Sequence, residues 1–127
     1  MLGAVGAAAL LVACGSSGSS SGGRATSLAT SGRQLYASEG CEDCHSLNGS
    51  LGTGPSWKGL YGSRVHLTSG ATVLADAAYL TKHIVDPNAM TVSGYPGDVM
   101  AEAIQGDDLA SKPKDVRALV AFIESLK

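Results

Sequence analysis

The chain has 127 residues, a net charge of −2 from nine basic and eleven acidic side chains, and three cysteines. That length holds one domain, and the near balance of charge, without a basic patch, excludes a nucleic-acid surface. With 5% aromatic residues and 17 glycines, the folding part can build only a thin core of its own, so a further group is expected to fill its centre.

Residues 1–13 are almost all Leu, Val, Ala and Gly. A spanning helix needs roughly 20 apolar residues, so this run is too short and reads as the apolar part of an export signal. No Lys or Arg precedes it, so the natural signal is expected to start further upstream. The run ends in Leu11-Val12-Ala13-Cys14, which resembles the bacterial lipobox, whose Cys is acylated and becomes the mature N-terminus. The alternative is an ordinary signal followed by an incidental Cys. One acyl chain anchors only marginally, but several chains on Cys14 would hold the protein to a membrane. Residues 14–30 form the expected linker. Its stretch Gly15 to Gly23, GSSGSSSGG, has no apolar side chain and behaves as a flexible coil, natural or engineered.

The domain is expected over 31–127. Ser31 can cap a helix running through Leu35 and Tyr36 until Gly40 ends it. Asn48 to Gly70 reads as loop, with a short helix near Trp57 to Tyr61. Ala71 to Val85 is a second helix, capped by Asp76, with Tyr79, Leu80, Ile84 and Val85 as its apolar face and Asp86-Pro87 as its stop. Asn88 to Gly106 reads as loop. Ser111 can cap the last helix, with Pro113 in its first turn and Val116, Leu119, Val120, Ile123 and Leu126 at helical spacing. No stretch alternates as a strand, so the fold class is all-α.

Between the first helix and the first loop stands Cys41-Glu42-Asp43-Cys44-His45. Two thiols three residues apart on one turn can reach the two vinyl groups of a porphyrin and form thioethers. The adjoining His45 then offers its imidazole to the iron, which is how Cys-x-x-Cys-His is read. A haem c attached through Cys41 and Cys44 also supplies the missing core, and implies that the apo-chain folds poorly. Three rivals use the same pair. A thioredoxin-like site follows a buried strand, and none is predicted here. Structural zinc needs four ligands, and the domain has no further Cys, while His66 and His83 are isolated. A plain disulfide would close a short loop, which the oxidising compartment implied by export permits.

The stretch GRQLYASEGCEDCHSL (Gly32 to Leu47) resembles the first helix and haem motif of class I bacterial cytochromes c. Gly32 and Tyr36 match that helix's Gly and aromatic, and Leu119 and Phe122 match the apolar and aromatic pair of the terminal helix. The resemblance implies that the two helices cross closely, where the small Gly permits it. GPSWKGLYGSRV, LADAAYLTKHIVDPNAM and GYPGDVM resemble the cytochrome c domains fused to subunit II of haem-copper oxidases, and related membrane-tethered lipoproteins. The likeness spans Gly32 to Lys127, and a stand-alone carrier without a copper-binding domain is expected.

The resemblance implies iron held by His45 and a methionine. Met100, in Gly94-Tyr95-Pro96-Gly97-Asp98-Val99-Met100, matches the ligand loop, and Met90 is expected to be a surface or packing residue. Ala101 stands where relatives carry Pro, and Glu102 to Ala110 is slightly longer than usual. The carbonyl of Pro55 is the implied acceptor for the second ring nitrogen of His45, and Trp57 is expected at the haem edge. Arg64 reaches a haem propionate or is solvated. His66 and His83 are the alternative ligands, but both are expected to be solvated, His83 on the outer face of its helix. Function follows as an expectation. The protein is a monomeric, extracytoplasmic one-electron carrier without catalytic residues, lipid-anchored to a bacterial membrane on its periplasmic or cell-surface side. Its partners would be a terminal oxidase or a quinol-oxidising complex. The alternative is a haem peroxidase or gas sensor with a labile sixth ligand.

Overall fold

The computed structural model describes residues 20–127. The expected signal, 1–13, and the lipid-bearing Cys14 lie outside the described residues. The all-α expectation holds: helices α1 (Ser20–Ser38), α2 (Ala77–Val85), α3 (Val99–Ala103) and α4 (Pro113–Ser125) carry the fold.

The first helix begins upstream of the expected cap, inside the stretch read as linker. Ser31 lies within α1 and its hydroxyl donates to the Ser27 carbonyl at 3.1 Å. Thr26 and Thr30 likewise donate to the carbonyls four residues back. Extending a helix costs far less than starting one, so a turn fixed by packing further along recruits this polar segment.

That packing is α1 against α4. Gly32 is buried at the crossing, and a Cβ on it would overlap the Ala118 backbone carbonyl and lie 2.7 Å from Phe122 Cβ. Tyr36, one turn on, sets its ring edge-on to Phe122 with centroids 5.8 Å apart. Leu119 and Ile123 of α4 are 1% exposed. Their spacing follows the helical period that the sequence showed.

Helix α2 starts where expected, with Asp76 Oδ1 accepting from the Tyr79 N–H at 2.8 Å. The residues before it do not join it. Thr72–Leu74 form strand β2, antiparallel to β1 (Arg64–His66), with Val65 opposite Val73. The expectation of no strand fails because three-residue strands give too short an alternation to read: only Val65 of β1 is buried. Trp57 to Tyr61 is a run of turns rather than a helix, broken by Gly59 at φ 68°. Within Asn88 to Gly106, read as loop, lies α3, preceded by a 3-10 turn at Pro87–Ala89. The cap of α4 is Lys112, not Ser111. Ser111 ends the preceding 3-10 turn, and its hydroxyl donates to the Asp108 carbonyl and carboxylate instead.

Gly32→Ala tests the crossing. The added methyl improves helix propensity by about 0.8–1 kcal/mol, but it forces α1 and α4 apart. A net loss on the order of 1–3 kcal/mol is expected, read from the denaturant midpoint of the haem-loaded protein. An unchanged or raised midpoint would show that the helices do not meet there.

Candidate haem site

Gly40, at φ 71°, ends α1 and swings the chain into one 3-10 turn, Cys41–Asp43. The Cys44 and His45 N–H groups both donate back to the Cys41 carbonyl, at 3.3 and 3.0 Å. Both sulfurs and the imidazole therefore leave one tight turn. Cys41 and Cys44 are free thiols, each half-buried. Burial, with Glu39 and Asp107 nearby, pushes the Cys41 thiol up to about 11 against a weaker lowering by its own backbone. A redox CxxC works through a thiol whose ionisation is eased, and this one is shifted the other way. Among the described residues no three His, Cys, Asp or Glu side chains gather as a metal cluster, which leaves the zinc reading without a donor set.

His45 is buried, and its Nδ1 pairs with the Pro55 carbonyl at 2.8 Å. A carbonyl only accepts, so Nδ1 carries the proton and Nε2 keeps a lone pair. Burial lowers the His45 pKa more than the Pro55 carbonyl raises it, so the ring stays neutral, as a metal ligand must. Three further contacts fix the residue. The Tyr36 hydroxyl donates to the His45 carbonyl, tying the motif to α1. Gly54 lies against the ring, and a Cβ there would sit 2.8 Å from Nδ1. Trp57, 4% exposed, packs with its centroid 5.4 Å from the imidazole and 5.0 Å from the Tyr36 ring.

His45 faces two adjoining cavities of about 250 and 280 Å³. Cys41, Cys44, Ile104, Leu109 and Leu119 line the first. Leu60, Val65, Tyr79 and Ile123 line the second, with Arg64 exposed at its rim. Pro55, Trp57, Ile84 and Met100 border both. Met90 borders only the first and packs, half-buried, against the core. His66 is exposed as expected, its Nδ1 paired with Thr72 Oγ1 at 2.9 Å.

His83 corrects the sequence reading. It is not on the outer face of α2: it is half-buried, borders both cavities and stacks on Tyr79 with centroids 5.4 Å apart. Residues four apart share a helix face, so Tyr79 already placed it on the apolar side. Its Nδ1 is buried and has no hydrogen-bond partner among the described residues. An orphaned buried N–H is rarer than an orphaned acceptor, so the proton belongs on Nε2. Gly54 went unremarked because it sits in a Gly-rich loop where no single glycine stands out.

The residues fit a c-type haem. Two thiols and a neutral imidazole leave one turn into an apolar space, and one wall carries a polar group that nothing among the described residues satisfies. His83 also yields a pH prediction. Burial first, and the neighbouring His45 second, lower its pKa from 6.5. The unfolded chain therefore binds a proton that the folded one refuses, and stability falls as pH drops below about 6.5. His83→Leu should flatten that fall in denaturant midpoints between pH 8 and pH 5. An equally steep fall in the variant would contradict the burial of a neutral imidazole.

Residues 29–127 match the family model described as cytochrome c. None of the curated proteins compared with the chain matches it. No helix among the described residues is long and apolar enough to cross a membrane. With the match covering residues 29–127, from the middle of α1 to the end of the chain, and the motif turned into the cavity, the chain belongs to the cytochrome c family and binds haem c, with its iron, covalently through Cys41 and Cys44.

Proposed function

We propose that the protein is a one-electron carrier whose iron is held by His45 and Met100. Electron transfer is the general work of the family. The observation that carries the finer reading is that Met100 alone of the described methionines borders both cavities faced by His45. The haem supplies the Fe(II)/Fe(III) couple. His45 contributes a neutral nitrogen oriented by Pro55, and such an outer partner fixes the tautomer and strengthens the ligand. Met100 contributes a soft thioether, which favours Fe(II) and raises the potential. Ile84, Ile104, Leu109 and Leu119, which line the first cavity, would keep water from a bound haem.

The same proposal places the domain outside the cytoplasm, on a lipid at Cys14. It would exchange electrons there with a terminal oxidase or a quinol-oxidising complex. The lipobox-like Leu11-Val12-Ala13-Cys14 and the likeness to oxidase-fused and lipoprotein cytochromes support it.

The ligand assignment is tested on the ferric protein at neutral pH. Wild type should show the red charge-transfer band of His/Met haem, and Met100→Ala should lose it. The potential should fall on the order of 0.1 V, within the span of about 0.8 V that axial ligands cover. A band that survives in Met100→Ala would assign the thioether elsewhere, and a wild type without it would favour the open peroxidase or sensor state. The anchor is tested separately: Cys14→Ser should move the haem protein from the membrane fraction to the soluble one, and a variant still on the membrane rules out the lipid at Cys14.

A further inference from the structure

Met100 stands second in α3, a helix of five residues. A helix so short has no independent stability, so its position is set by what it joins. It packs on the 3-10 turn Pro87–Ala89. Between the two, the chain makes an excursion whose middle is stitched to the ribbon. The Thr68 N–H donates to the Thr91 carbonyl at 2.9 Å, and the Ser93 N–H to the His66 carbonyl at 2.8 Å.

One side chain closes the ends of the excursion. Asn88 Nδ2 donates to Asp98 Oδ1 at 2.7 Å, and Asn88 Oδ1 accepts from the Asp98 N–H at 3.2 Å. Asp98 is the N-cap of α3 and holds φ 67°, in the left-handed region. Such a backbone persists only where its surroundings enforce it. An Asp at a helix N-cap ordinarily turns its carboxylate onto the N–H groups of the first turn. Asp98 makes no such bond; its carboxylate accepts from Asn88 instead. Both residues are exposed, so burial does not force them together.

We propose that Asn88 and Asp98 form a latch that holds α3, and Met100 with it, over the haem cavity. Closed, the latch makes an outside ligand compete with a thioether already in position. Broken, it lets the loop from Asn88 to Met100 swing away and opens the sixth position to a small neutral ligand. Asn88 and Asp98 are positioning residues, acting through Met100, and the inference rests on Met100 being the ligand.

Imidazole titration of the ferric, haem-loaded protein reads the latch directly. Asn88→Ala should bind imidazole about tenfold more tightly than wild type, the effect expected of losing two exposed hydrogen bonds, one to a carboxylate. Asp98→Gly, which tolerates φ 67° but lacks the carboxylate, should also bind more tightly. The double variant should gain less than the sum of the two, because they break one interaction. Asp76→Ala removes the cap of α2 at a similar cost to overall stability and should leave imidazole affinity within about twofold of wild type.

Wild-type affinity in Asn88→Ala, or an equal gain in Asp76→Ala, overturns the latch while leaving the ligand assignment standing. A wild type without the charge-transfer band, or one in which Met100→Ala leaves imidazole affinity unchanged, overturns the assignment and the latch together.

Discussion

The hydrogen bond from His45 Nδ1 to the Pro55 carbonyl, at 2.8 Å, is the contact on which the rest of the site depends. It chooses the tautomer and orients the ring. It also joins two segments that sequence separates by ten residues, so the loop after the motif folds back under it. Gly54 makes room for that return, since any side chain there would strike the ring. On the other side the Tyr36 hydroxyl holds the His45 carbonyl, and Tyr36 is packed against Phe122 where α1 meets α4. The helix crossing and the imidazole are thus mechanically one unit. A shift at Gly32 would travel through Tyr36 to His45 without any change in the motif itself.

This unit also explains how so few large side chains make a domain. The aromatic rings of Tyr36, Trp57 and Phe122 pack on one another beside His45, with centroids 5.0 to 6.1 Å apart. Such contacts stabilise beyond their buried area. The helices do not close over the centre. They leave the two cavities, bordered by Leu119 and Ile123 on one side and by α2 on the other. A porphyrin contributes the apolar surface there that further side chains contribute in a larger domain. Cofactor and core are the same thing in this protein, and haem attachment and folding stability should be tightly coupled.

Much of this was legible in the residues. The period of Val116, Leu119, Val120 and Ile123 is that of α4, Asp76 caps α2, and the Cys41-to-His45 motif named its own chemistry. What was hidden follows a physical pattern. β1 and β2 are too short for alternation to show, and the bonds that make them come from each other and from the Met100 loop, not from local preference. Ser31 looked like a helix start because Ser favours caps, but the helix had already been nucleated by packing and ran backwards through it. Ser111 failed for the opposite reason, captured by Asp108 three residues earlier. His83 was misplaced although its spacing to Tyr79 and Leu80 was visible. A histidine reads as polar, and its inward side is seen only in the stack of its ring on Tyr79.

The two faces of the haem cavity are built to different standards. The His45 face has the covalent chain, a backbone acceptor, a glycine contact and three packed aromatic rings behind it. The Met100 face has a five-residue helix, a left-handed Asp98 and hydrogen bonds between exposed groups. Regions with few buried contacts and solvent-exposed hydrogen bonds are the first to open. The asymmetry suits the chemistry. His45 is held in sequence beside two thioether-forming cysteines and cannot drift far from the iron. Met100, the proposed sixth ligand, lies far along the chain from His45 and would reach the metal only with the intervening loop folded. Closing a loop of that length costs entropy that grows slowly with its length, so a few well-placed bonds suffice to hold it. On the proposed ligation, the hold of the sixth ligand on the iron would be decided less by the methionine than by the polar contacts that end its loop.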